Sequence, residues 1–241
     1  NQNDQHGGQS IANFDYSMAE GVGKTFLRLY RQNLSKALSL ALDLPDPDDT
    51  IRDMVEQTMA ESGCKPSLEG DDDYLTAERG KLMRLYGLSE EEAVKYQSFA
   101  HSCAERETNR ATYQAMEALL HNLNTMQSRA GAQVPFSSIN YGCDTSPEGR
   151  MAIRNILLAT ESGLGNGETP IFPIQIFRVK DGVSANPGDP NYDLFQLACR
   201  CSAKRLFPNF LFLDAPFNAP YYRPGHPETE MACMGCRTRV A

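Results

Sequence analysis

The sequence predicts an α/β protein with a mainly helical part over residues 1–131 and a parallel β/α part over residues 132–241. Apolar residues recur at three- and four-residue spacing through the first part, the period of an amphipathic helix. From Val134 onward, short apolar runs alternate with helical stripes. The connections between those runs are long enough to hold a helix, which implies parallel pairing and right-handed crossovers. Three such strands cannot close on themselves, so the second part is expected to belong to a larger α/β sheet or barrel.

In the helical part, Leu27, Tyr30, Leu34, Leu38 and Ala41 form one stripe, and the helix should stop by Leu44, before Pro45. Gly21-Val22-Gly23-Lys24-Thr25 has the look of a phosphate loop, but Met18 stands where that pattern needs a glycine, and no apolar strand precedes it. Asp46 to Asp73 is acidic and broken by Pro47, Gly63, Pro66 and Gly70. It reads as a connecting segment holding one short helix, from about Thr50 to Ser62. Asp71-Asp72-Asp73 reads as a solvated charge run, with a metal site as the alternative. Ser89 and Glu92 have capping-box spacing. They open a long helix to about Ser128, with Tyr113, Met116, Leu120 and Leu123 on one face and Gly131 at the C′ position. His101 and His121 lack metal-ligand spacing and read as structural.

In the β/α part, Val134 to Asn140 is the first strand. Ser146 caps the next helix and Pro147 takes its first position. Met151, Ile153, Ile156, Leu157 and Thr160 carry that helix to Gly163. Ile171 to Val179 is the second strand. Asp189-Pro190 starts a helix bearing Leu194, Leu197, Ala198 and Cys201, and Phe210 to Leu213 is the third strand. The Pro- and Gly-rich stretch from Ala215 to Pro227 then leads to Met231-Ala232-Cys233-Met234-Gly235-Cys236-Arg237-Thr238-Arg239-Val240.

Composition narrows the classes of function. The 241 residues are 41% hydrophobic and 22% charged, enough for one large domain or two small ones. A formal net charge of −8 argues against a nucleic-acid-binding face but leaves room for a nucleotide ligand. No apolar run approaches the roughly 18 residues of a membrane span, and no signal peptide opens the chain. Seven irregularly spaced cysteines without a secretory signal read as reduced thiols of a cytoplasmic protein. The chain opens on Asn1 and stops at Ala241, inside its final motif, so it is expected to be an internal fragment of a longer protein.

Three stretches could carry chemistry. Asn140 to Ser146 follows the first strand and leads into a helix N-terminus, which can hold an anion; a plain Ser-Pro helix start is the alternative. In His6-Gly7-Gly8-Gln9-Ser10, the glycines permit close backbone approach and Gln9 and Ser10 offer donors; a plain turn is the alternative. In the final motif, Cys233 and Cys236 have the spacing of a redox pair or half a zinc site. Cys199 and Cys201 have the wrong spacing to complete a zinc site, and no metal ligand is assigned.

Met234-Gly235-Cys236-Arg237-Thr238-Arg239-Val240 resembles the loop that carries the thiyl-radical cysteine of anaerobic (class III) ribonucleotide reductases. Leu120 to Phe136, Phe136 to Arg150, Thr169 to Phe177, and Asp189 to Asn218 with its Ser202-Ala203-Lys204-Arg205-Leu206-Phe207-Pro208-Asn209-Phe210 resemble the same family in the same order. So does Gly7-Gly8-Gln9-Ser10. The match covers most of residues 114–240; residues 17–110 match loosely.

The resemblance implies part of the large catalytic subunit, a ten-stranded α/β barrel of the glycyl-radical-enzyme type threaded by a finger loop. Cys236 would be the thiyl residue and Met234 a second catalytic residue, and Gly8, Gln9, Ser10, Asn140 and Ser146 would bind substrate. The implied reaction converts ribonucleoside triphosphates to deoxyribonucleoside triphosphates for DNA replication, with formate or a thiol–protein system as reductant. The glycyl radical and a zinc site would lie beyond residue 241. ATP and deoxynucleotide effectors, a radical-SAM activating enzyme and a homodimeric parent complete the implication. Cys233 departs from the family, which carries a tyrosine or another bulky residue there. A formate-lyase type of glycyl-radical enzyme, or a non-enzymatic zinc-binding CxxC module, are the alternatives. The chain alone is expected to be inactive.

Overall fold

The computed structural model describes residues 8–42, 48–126, 134–235 and 238–240. The architecture is mixed α/β with a parallel sheet. In chain order the elements are β1 (Gln9–Ile11), α1 (Phe14–Leu42), α2 (Asp48–Ser62), α3 (Asp72–Tyr86), α4 (Glu90–Thr125), β2 (Ser137–Tyr141), α5 (Pro147–Ser162), β3 (Ile174–Val179), α6 (Tyr192–Arg205), β4 (Asn209–Phe212), β5 (Ala232–Met234) and β6 (Thr238–Val240). The chain divides into two compact units, residues 1–20 with 112–241, and residues 21–111. This differs from a single cut at residue 131. The physical reason is β1, which pairs in the sheet and so draws the start of the chain into the sheet unit.

The unit of residues 21–111 is helical. Phe26, Tyr30, Leu34 and Leu38 of α1 form a buried stripe against Ile51 and Val55 of α2, Tyr74 and Leu82 of α3, and Ala93, Ala100 and Ala104 of α4. Small alanines on one face of α4 let the other helices approach closely. The capping box at the start of α4 is present: the Ser89 amide donates to Glu92 Oε2 at 2.9 Å, and the Glu92 amide donates to Ser89 Oγ at 3.3 Å. His101 is structural, its Nε2 lying 3.1 Å from the Ser67 carbonyl oxygen and its ring edge-on to Phe26. The expected helix end at Leu44 and Pro45, and the expected C′ residue Gly131, lie outside the described residues.

Helix α3 begins at the end of the expected connecting segment, whose short helix is α2, and was not assigned from the sequence. Asp71 is its N-cap, the carboxylate accepting from the Tyr74 amide at 2.8 Å, and Gly87 closes it with φ 66°. Asp72 and Asp73 fill its first turn, where acidic side chains favour the helix dipole. The charge run is therefore a helix start. Cys64, Asp71 and Asp73 bring three donor atoms within 4.8 Å of one another. Asp71 is already spent on the cap, and its hydrogen bond raises the Cys64 thiol pKa, so the sulfur keeps its proton.

Glu78 sits at the centre of this helical core. It accepts from Tyr30 at 2.6 Å, Tyr74 at 2.7 Å and Gln97 at 2.8 Å. Burial pushes its carboxyl pKa up, and the three donors offset that only in part. The fold therefore favours the protonated form. Its contribution to stability is complete below the unfolded value of about 4.3 and is lost as pH rises through the raised folded value. Glu78→Gln should remove that loss. In urea unfolding from about pH 4 to pH 7, the parent should lose stability relative to the variant; parallel profiles would contradict the account.

The sheet unit carries four parallel strands in the order β1-β2-β3-β4. Gln9 pairs with Ser137, Ser138 with Ile174, and Ile176 with Asn209. Side chains alternate between two faces. On one face Phe177 packs against Phe195 of α6 and Phe210 of β4. The Tyr141 hydroxyl donates to Gln175 at 2.7 Å, and Gln175 donates to Thr160 of α5 at 2.8 Å. Helices cover this face. Ser10, Ser138, Asn140 and Arg178 lie on the other, together with Ile174 and Ile176, and give it its polar groups.

Ser146 and Pro147 start α5 as expected, with Ser146 Oγ accepting from the Gly149 amide at 3.1 Å. The start of α6 is a correction. Its N-cap is Asn191, not Asp189; the Asp189 carboxylate instead accepts from the Asn186 amide within the preceding turn. No helix among the described residues is long and apolar enough to cross a membrane.

Candidate functional site

The polar face of the sheet holds the hairpin β5–β6. The two strands are antiparallel, with Cys233 opposite Arg239 and Met234 opposite Thr238. Gly235, Cys236 and Arg237 are the connection between them. Cys236 and Arg237 lie outside the described residues, as do His6 and Gly7.

Side chains of the four-stranded sheet hold β5 against it. Asn140 is fully buried, and its carboxamide grips the Cys233 peptide at both ends. The Cys233 amide donates to Asn140 Oδ1 at 2.8 Å, and Asn140 Nδ2 donates to the Cys233 carbonyl at 2.9 Å. The same Nδ2 reaches the Ile11 carbonyl at 3.2 Å. Ser10 Oγ adds a second donor to the Cys233 carbonyl at 3.0 Å. Ser138 Oγ accepts from the Gly235 amide at 3.1 Å. Gly235 has φ 64°, a left-handed conformation that glycine enters without the Cβ penalty. On the second strand, Arg239 donates to Asn218 at 3.1 Å and lies over the Phe217 ring.

The base of the hairpin is fixed by buried charge. Arg178 of β3 has no solvent exposure. Its Nη1 donates to Asn13 Oδ1 at 2.8 Å and lies 3.3 Å from Glu230 Oε2, while Nη2 lies 3.5 Å from Asp15 Oδ1. The Glu230 contact is close enough for charge attraction but outside hydrogen-bond alignment. Among the described residues, Glu230 Oε2 and Arg178 Nε are buried without a hydrogen-bond partner. Lys180 completes the cluster, 2.8 Å from Glu230 Oε1 and stacked on the Tyr222 ring. Burial alone would pull the Lys180 pKa down, but Glu230 and Tyr222 together more than offset it and the net direction is up. Cys143 lies nearby with Leu213 and Met231. Burial pushes its thiol pKa far up, so it stays protonated.

The amides of the loop after β2 are taken by a side chain of the same chain. Asp15 Oδ2 accepts from the amides of Gly142, Cys143 and Asp144 at 2.8, 2.9 and 3.0 Å. Gly142 has φ 126°, and a Cβ there would meet the Arg178 carbonyl at 2.6 Å, so the turn needs glycine. Asn191 ties the same loop down through the Gly142 and Asp144 carbonyls.

The sequence-predicted residues therefore separate. Ser10 and Asn140 come together on the hairpin. Met234 lies in β5 and is half exposed. Ser146 caps α5 beyond the carboxyl end of β2. Gly8 lies beside Phe136, and the Gln9 amide donates to the Phe136 carbonyl, at the amino end of the strands. Gly8 and Gln9 thus stand at the opposite end of the sheet from Ser146. Parallel pairing of Gln9 with Ser137 thus separates Gly8 and Gln9 from Ser146 among the residues expected to bind substrate.

Arg178, Glu230, Asp15 and Ser138 were not singled out from the sequence. A charged residue inside the apolar run Ile174 to Val179 was the available signal, because arginine is seldom buried unpaired. Asp15 had none, since an acidic residue at a helix start is ordinary.

A family model described as anaerobic ribonucleoside-triphosphate reductase matches residues 1–241. The Escherichia coli (strain K12) protein of that name is 38% identical over 116 residues, covering 48% of this chain and 16% of its own length. The Haemophilus influenzae protein of that name is 36% identical over 133 residues, 52% of this chain and 17% of its own length. That of enterobacteria phage T4 is 36% identical over 154 residues, 63% of this chain and 25% of its own length. The chain thus spans 16% to 25% of the length of these relatives. With the family model matching throughout, the chain belongs to the anaerobic ribonucleoside-triphosphate reductase family.

Proposed function

We propose that this chain is part of the catalytic domain of an enzyme that reduces ribonucleoside triphosphates to deoxyribonucleoside triphosphates by radical chemistry, with Cys236 as the thiyl residue. The observation that carries the reading is the β5–β6 hairpin gripped on the polar face of a parallel sheet whose other face is covered by helices. That is the arrangement of a barrel wall with a loop on its inner side. The four strands then form part of the ten-stranded barrel, and Cys236 belongs to the finger loop. Its sulfur takes the hydrogen from ribose C3′, making an S–H bond and leaving a carbon radical, and later returns a hydrogen. A thiol S–H and a ribose C–H are close in strength, so the exchange runs both ways. The hairpin's role is to hold the sulfur in a reactive geometry.

A glycyl radical in another part of the parent supplies the radical, after activation by a radical-SAM partner. Formate or a thiol–protein system supplies the reducing electrons, ATP and deoxynucleotides act as effectors, and the parent is a cytoplasmic homodimer. Gly8, Gln9 and Met234 stay candidates for contact with substrate or the reacting centre. Ser10, Asn140 and Ser146 already use their side chains within the fold.

The test is anaerobic turnover of a ribonucleoside triphosphate by the full-length parent, activated by its partner. Deoxynucleotide product is expected from the parent and, at most of the parent rate, from Cys233→Ser. Absence of product from the activated parent would overturn the reading. Loss confined to Cys233→Ser would move the thiyl role to that sulfur.

A further inference from the structure

We infer that Asn140 is a positioning residue for the reacting sulfur, working with Ser10 and Ser138, and not a substrate ligand; this rests on the function proposed above. A series of contacts holds the backbone up to Gly235, the residue before Cys236 in the sequence. Asn140 Oδ1 accepts from the Cys233 amide at 2.8 Å and its Nδ2 donates to the Cys233 carbonyl at 2.9 Å. This two-point grip fixes the two peptide groups that flank the Cys233 Cα. Ser10 shares the same carbonyl at 3.0 Å. Two residues on, Ser138 holds the Gly235 amide at 3.1 Å. Four side-chain hydrogen bonds thus bind the segment Cys233–Gly235, which runs directly into Cys236. All four come from the adjacent strands β1 and β2: Ser10 pairs with Ser138, and Asn140 lies two residues further along β2 on the same face.

Asn140 has no exposure to solvent, and both polar atoms of its amide are committed. A nucleotide could reach it only by displacing β5. The group is also chemically suited to the grip. A carboxamide presents one acceptor and one donor side by side, matching a peptide N–H and C=O; no hydroxyl could do both at that separation.

A reacting atom misplaced by about 1 Å can cost on the order of 100-fold in rate without any change in binding. In the full-length activated enzyme, Asn140→Ala should therefore lower kcat about 100-fold with KM for the ribonucleoside triphosphate unchanged. The yield of glycyl radical on activation, read by electron paramagnetic resonance, should equal that of the parent. Ser10→Ala and Ser138→Ala keep the amide grip and should show a smaller drop in kcat, again at constant KM. These two variants decide the matter should Asn140→Ala fail to fold. A raised KM with kcat intact in Asn140→Ala would make Asn140 a substrate ligand and overturn the inference. So would unchanged kcat in the serine variants and Asn140→Ala alike. An inactive parent enzyme would instead strike the function on which the inference rests, which keeps the two failures distinct.

Discussion

Arg178→Met is expected to destabilise the chain by about 3–5 kcal/mol, the cost of removing one partner from a buried ion pair. Methionine approximates the arginine stem in size, so the loss would come from charge and hydrogen bonding more than from a cavity. Arg178 is fully buried, and its guanidinium is shared among Asn13, Asp15 and Glu230. Without it, Asp15 keeps three backbone amides and Glu230 keeps Lys180. Two carboxylates nevertheless remain buried around an uncharged side chain. Arg178→Met with Glu230→Gln removes one of those uncompensated charges, and the pair should cost less than the sum of the two single changes. Urea unfolding of the chain measures all three variants. A single-variant loss below about 1 kcal/mol, the range of exposed pairs, would contradict the buried-lock account.

Much of this fold was legible in the sequence, for identifiable reasons. The stripe at Leu34 and Leu38, the capping box at Ser89 and the Ser146-Pro147 start each depend on local spacing, and local spacing is what a sequence displays. Short apolar runs after Val134, separated by helical stretches, predicted three parallel strands, which are present. The fourth, β1, is only Gln9–Ile11. Its pairing partner lies more than 120 positions away, so no local pattern could announce it. Helix α3 was missed because its start was read as charge alone, although acids at a first turn are also a helix signal.

The candidate site divides along the same line. The final motif was visible because Cys236 and its neighbours are contiguous. The grip on it was not, because Ser10, Ser138 and Asn140 meet Cys233 and Gly235 only through tertiary pairing. The anion preference of the Gly142–Asp144 loop was readable from residue types. That the anion is Asp15's own carboxylate required the fold.

Cys236→Ser should abolish ribose reduction while leaving folding and nucleotide binding close to those of the parent. Serine is near cysteine in size, and no described side-chain contact of the hairpin depends on the Cys236 sulfur. The hydrogen-bonded segment Cys233–Gly235 is unchanged by the substitution. The chemistry is what fails. A serine O–H bond is too strong for a carbon-centred radical to open, so no oxygen radical forms to attack C3′. The loss should be complete within detection and should fall on kcat, because the variant still binds substrate.

Release of tritium from 3′-tritiated ribonucleoside triphosphate tests the central claim most directly, since it reports cleavage of the one bond that the thiyl radical is proposed to break. In the activated full-length enzyme, the parent and Cys233→Ser should release tritium to water under anaerobic conditions, and Cys236→Ser should release none. Tritium release by Cys236→Ser would contradict the assignment of Cys236 as the hydrogen-abstracting residue.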